Sequence, residues 1–135
     1  MTEIEVTGLL VELANKGIGG IFISYDGGGD SGQIEQITYT EKMIDDLDTL
    51  EEMYDHGIDY NNDLQKLDSS LYAQLENYAY RTLLDNIEDW WNEEGGFGYV
   101  VIHIPSGDYR INNSIRVNNV IDHIHEGKLT EKTNG

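Results

Sequence analysis

A chain of 135 residues with 39% hydrophobic content is long enough to bury one core and reads as one α+β domain over residues 1–125, followed by a frayed tail over residues 126–135. It has no cysteine, which excludes disulfides and thiolate metal sites, and no apolar run long enough to span a bilayer as a helix. A formal net charge of −18 disfavours direct binding to nucleic acid, which proteins meet with Lys and Arg.

The first predicted element is a helix over residues 2–16, with Ile4, Leu9, Leu10 and Leu13 on one side and Gly17 just past its end. Ile18–Tyr25 reads as a strand, since Ile21, Ile23 and Tyr25 alternate with Phe22 and Ser24. Gln33–Tyr39 is a second strand whose alternation breaks near Gln36, and the two are expected to pair as a hairpin with a long connection. Thr40 is placed as the N-cap of a helix reaching Asp55, with Ile44, Leu47, Leu50 and Met53 or Tyr54 on its apolar side. His56–Asp63 is a connector. A long helix is then expected from Leu64 to Glu93, with a break allowed near Asp68–Ser70 because Asp-Ser-Ser is also cap chemistry. Glycines 95, 96 and 98 stop it. Tyr99–Ile104 and Tyr109–Val117 read as strands joined by the turn Pro105–Asp108; Tyr109 and Ile111 face one way, Arg110 and Asn112 the other. Val120–His125 is either a short helix or extended. The predicted architecture is an antiparallel sheet of about four strands, as two hairpins, packed against helices in the order αββααββ.

The stretch YDGGGDSGQIE, Tyr25–Glu35, raises three chemical readings. GDSG surrounds the nucleophile of some serine proteases, but Ser31 has no base at a recognisable spacing among His56, His103, His123 and His125. No register of the loop satisfies an EF-hand; a looser cation site would use Asp26, Asp30 and Glu35. Phosphate cradling needs a strand–loop–helix context and positive charge, whereas this loop leads into a strand and carries aspartates. A turn is the simplest reading, and such an exposed loop can still touch a partner. His123 and His125 are two apart, but a zinc site needs further ligands. No metal and no cofactor is expected. Trp90 and Trp91 point about 100° apart on a helix, so one packs and the other, taken as Trp91, is a candidate contact.

The spacing Y-x-G-x-G-D-S-G-x-I at Tyr25–Ile34, with W-W-N-x-x-G-G-x-G at Trp90–Gly98, resembles a family of small uncharacterised proteins from bacteria and phages. The resemblance implies a phage or mobile-element setting and supplies no catalytic residue.

The distribution of charge is the strongest functional signal. Residues 26–94 hold 19 Asp and Glu against Lys42, Lys66 and Arg81, while residues 95–135 hold four acids and four bases. On the predicted helix, Asp45, Asp48, Glu52 and Asp55 form one row that Glu41 extends, with Asp46 and Glu51 beside it. A rigid acidic surface of this kind can occupy a channel built for phosphates. The expectation is a non-enzymatic DNA mimic of the anti-restriction or anti-CRISPR type. Its partner would be a basic nucleic-acid-binding protein of the host, a nuclease or CRISPR effector, met in the cytoplasm away from any membrane. The partner-binding residues would be Glu41, Asp45, Asp46, Asp48, Glu51, Glu52, Asp55, Asp26, Asp30 and Trp91, and a homodimer is compatible with this expectation. Two alternatives are a module that sequesters a protein by shape through Trp91 and the glycine loop, and a cation-binding protein or enzyme using Asp26, Asp30 and Glu35.

Overall fold

A computed structural model describes residues 3–28, 31–57, 62–80, 96–115 and 121–129. Six strands, β1 (Gly20–Gly28), β2 (Ser31–Thr40), β3 (Asn62–Asp63), β4 (Gly96–His103), β5 (Asp108–Ile115) and β6 (Ile121–Lys128), form one antiparallel sheet in the order β3-β2-β1-β4-β5-β6. The helices are α1 (Glu3–Asn15), α2 (Leu47–Asp55), α3 (Leu64–Leu67) and α4 (Ser69–Tyr78). The α+β class and the two expected hairpins, β1/β2 and β4/β5, are present. The expected four strands become six, and the chain order becomes αββαβααβββ. Strand β3 is too short for periodicity to reveal. In β6, IDHIHEGK holds only two isoleucines and does not alternate; its full-length ladder with β5 makes it a strand. That ladder includes Glu126–Lys128, assigned above to the frayed end, and Leu129 beyond them is buried.

Alternation decides which side chains go to which face. Ile21, Ile23 and Tyr25 of β1, Ile37 and Tyr39 of β2, Val100 and Ile102 of β4, and Tyr109 and Ile111 of β5 join the main core. Val6, Leu9 and Leu13 of α1, Leu64 of α3, and Leu71, Leu75 and Tyr78 of α4 cover them. Phe22 and Val101, one position out of step, point to the opposite face and meet α2. The break in alternation near Gln36 is a bulge: Ser24 pairs with Gln36 and Tyr25 with Ile34, leaving Glu35 as the extra residue. The bulge restores Ile34 to the core face.

Gly17 ends α1 as expected. It takes φ +83°, and the N–H of Ile18 and of Gly17 donate to Leu13 O (3.2 Å) and Ala14 O (2.9 Å), a Schellman closure. The hairpin connection after Tyr25 is not long, because pairing continues through Gly27↔Gly32 to Gly28↔Ser31.

Thr40 does not cap a helix. It is the buried last residue of β2, and its Oγ1 accepts from Lys42 N at 3.2 Å. Asp46 is the N-cap of α2, with an extended backbone (φ −147°) and a carboxylate accepting from Thr49 N at 2.7 Å. Glu41 and Asp45 therefore precede the helix. The allowed break near Asp68 is real: Asp68 closes α3 and caps α4, accepting from Ser70 N (3.0 Å) and Leu71 N (3.1 Å). The helix expected to reach Glu93 is described only through α4 and the π-helical residues Ala79 and Tyr80 that continue it; its remainder, with Trp90 and Trp91, lies outside the described residues.

Candidate functional site

Helix α2 is seated on the sheet by a small apolar cluster. Leu50 and Met53 pack on Phe22 and Val101, with Ile44, Leu47, Tyr54 and Tyr99 around them. The Tyr54 ring stacks on Phe22 at 5.5 Å between centroids and tilts against Tyr99 at 4.7 Å. The segment leading into α2 is tied down by His103, which is buried at the end of β4. Its Nε2 lies 2.6 Å from Ile44 O, a contact that requires a proton on Nε2, and its Nδ1 lies 2.7 Å from Ser106 Oγ.

Beyond this cluster, the α2 face of β5 and β6 carries a polar groove of about 490 Å³ lined by Asp46, Asp48, Asp108, Arg110, Glu126 and Lys128 among others. A second hollow of about 300 Å³ adjoins it at Arg110 and Glu126 and adds Glu51, Asp55, Tyr99, Asn112 and Ile124. Arg110 stands between the two hollows. Its Nη1 donates to Glu51 Oε1 at 2.8 Å, and its Nη2 reaches Asp48 Oδ1 at 2.7 Å and Glu126 Oε2 at 3.2 Å. The other Glu51 oxygen accepts from the Tyr99 hydroxyl at 2.8 Å. At the far end Lys128 Nζ pairs with Asp108 Oδ1 at 2.6 Å.

Electrostatics in the groove follow from these contacts. Burial pulls the Arg110 guanidinium down, but Glu51, Asp48 and Glu126 outweigh it and hold it above the ordinary arginine range. Burial, joined by the hydrogen bond to Glu51, pushes the Tyr99 phenol well up, so it stays a donor. The Thr49 amide holds Asp46 below the usual carboxylate range, and Lys128 does the same for Asp108. Six carboxylates (Asp46, Asp48, Glu51, Asp55, Asp108, Glu126) thus line the two adjoining hollows with two cations, Arg110 and Lys128.

The sequence-predicted site residues divide into groups. Asp46 and Asp48 come together at the groove, and Glu51 and Asp55 at the adjoining hollow. Asp48 and Glu51 are drawn to Arg110, so the single helical row does not form as expected; its upper members, Glu41 and Asp45, stand on the connector. Glu41, Asp45, Glu52 and Asp55 are exposed and make no ion pair within the described residues. Asp26 is half-buried in β1, opposite Gln33 and Phe97, and Glu35 is exposed at the bulge. Asp30 and Trp91 lie outside the described residues. Among those residues no group of three or more His, Asp or Glu is arranged to hold a metal, and no helix is long and apolar enough to cross a membrane. Arg110, Tyr99, Glu126 and His103 were not singled out as site residues. The outward parity of Arg110 on its strand was the available signal.

The register also joins the two sequence motifs. Tyr25, which opens the first, pairs with Gly98, which closes the second. A Cβ at Gly98 would stand 1.9 Å from Asn112 O and 3.1 Å from the Tyr25 hydroxyl, so only glycine fits between β1 and β5 there.

Together these features define a small antiparallel α+β protein that carries, among the described residues, an acid-lined groove beside one helix. The chain belongs to a family of unknown function (DUF6878), which matches residues 2–127. No curated protein matches it, and no solved structure does.

Proposed function

We propose that the chain is a small acidic binding protein, encoded by a phage or mobile element. In this reading it blocks the basic nucleic-acid-binding surface of a host nuclease or DNA-binding protein by presenting carboxylates in place of phosphates. The observation that carries this reading is the concentration of carboxylates on and around α2. Asp46 and Asp48 line the groove and Asp55 the adjoining hollow, while Asp45 and Glu52 stand exposed beside them. Helical neighbours three or four apart, such as Asp48, Glu52 and Asp55, hold their Cβ atoms about 5–6 Å apart. The phosphates of a strand repeat on a comparable scale, and a basic channel built for them meets the same charge here. The apolar cluster under α2 holds the helix fixed, so little ordering entropy is lost on binding.

The test uses the exposed acids that no ion pair engages among the described residues. Immobilised protein is used to capture partners from bacterial lysate, with elution by a salt gradient and by duplex DNA. A basic nucleic-acid-binding protein should elute under both conditions, because salt screens the contact and DNA competes for the same surface. The variant Asp45→Asn/Glu52→Gln/Asp55→Asn should keep the fold and lose that capture. A captured partner held equally well by the triple variant, or indifferent to DNA, refutes the reading.

A further inference from the structure

The two borders of the sheet are built differently. At the β2 border, β3 covers Thr38 and Tyr39, and the backbone N–H of Ile34 is taken by the Tyr80 hydroxyl at 2.6 Å. The bulge at Glu35 bends that strand as well. These are devices that keep a sheet edge from pairing. At the other border, β6 runs for eight residues with an unbroken register against β5, and among the described residues no strand lies on its outer side. Leu129 leaves β6 inward, its N–H donating to Gly107 O at 3.0 Å and its side chain buried. Ile124 in the middle of β6 is 51% exposed.

We infer that β6 pairs edge to edge with β6 of a second copy of this chain, giving a two-fold dimer with a continuous sheet. A two-fold axis normal to the sheet requires antiparallel pairing in which one residue faces itself, because partners must share a face. Three central registers are available, on His123, Ile124 or His125. The register on Ile124 sets Asp122 opposite Glu126 twice, like against like. The register on His123 leaves Lys128 without an opposite residue inside the strand. The register on His125 sets Asp122 of each copy opposite Lys128 of the other and brings the two Ile124 positions into diagonal contact. Charge complementarity therefore selects a second copy in the register on His125.

Sedimentation velocity and light scattering across the micromolar to millimolar range test the proposal, with circular dichroism confirming that each variant is folded. The wild-type chain should be a dimer that dissociates on dilution. Asp122→Lys alone and Lys128→Asp alone each set two like pairs face to face, and each should raise the dissociation constant about tenfold or more. Mixed in equal amounts, the two variants should restore a heterodimer, because the lysine introduced at position 122 of one then meets Lys128 replaced by aspartate in the other. Ile124→Glu, at an exposed position that leaves the Lys128–Asp108 pair intact, sets Glu opposite Glu126 of the other copy twice and should weaken the dimer independently. A wild-type chain that stays monomeric throughout overturns the proposal. So does a dimer indifferent to all three substitutions, or a mixture that does not recover.

Discussion

Replacing Arg110 with methionine keeps most of the stem that packs on the sheet and removes the charge that three carboxylates share. The magnitude follows from exposure. Arg110 and Glu51 are each only 17% exposed, so their bond belongs with hydrogen bonds to charged groups in partial burial, about 1.5–3 kcal/mol. Asp48 is 77% exposed and Glu126 is 53% exposed, so solvent screening leaves those two pairs little, about 0–1 kcal/mol together. The expected loss is about 1.5–4 kcal/mol, which for a chain of this length lowers Tm by about 5–16 °C. Concentrated salt should narrow the gap between variant and wild type, because it screens the repulsion among the orphaned carboxylates. The sign with pH is also determined. Arg110 is raised above its ordinary value, so its contribution is complete at every pH below that value and does not fade at neutrality or in mild base. Thermal unfolding followed by circular dichroism, at low and high salt, measures all of this. A fall in Tm under about 2 °C, unchanged by salt, would mean that the apolar cluster alone seats α2 and that the Arg110 network is incidental.

Two other outcomes follow from single contacts. Gly98→Ala places a methyl 1.9 Å from Asn112 O, so β4 and β5 must part; the cost in urea unfolding should be about 1–3 kcal/mol or more. Asp46, Asp68 and Asp108 are held below the carboxylate value of 3.8, chiefly by the Thr49 amide, the Leu71 amide and Lys128 in turn. Their unfolded forms bind protons more readily, so their stabilisation is present above that value and is lost as pH falls through the lowered ones. Urea midpoints should drop in that acid window. Asp46→Asn/Asp68→Asn, which keeps both caps without the charge, should flatten the drop.

Much of the frame is legible because alternation and cap chemistry are local. Ile21, Ile23 and Tyr25 announce β1, Gly17 ends α1, and Asp68 breaks the helix where an Asp-Ser-Ser run permits it. The start of α2 was misplaced because Thr40 and Asp46 both have cap chemistry. The sheet decides between them by burying Thr40 at the end of β2. Strand β6 was illegible because its partner, not its own pattern, makes it a strand. The site was half visible. Its acids could be read in order, but the cation that organises them could not, since Arg110 is separated from Glu51 by 59 positions and from Glu126 by 16. A charge network assembled from three elements leaves no spacing in the sequence.

The Tyr80 hydroxyl on the Ile34 amide sets an upper limit on growth. Strand addition at both borders would propagate copy after copy into a fibre. With one border stoppered by a phenol and a two-residue strand, joining at β6 uses up the adhesive side of each copy. In the proposed dimer assembly then halts at a pair, and a chain whose β6 has no strand beyond it among the described residues stays clear of open-ended polymerisation.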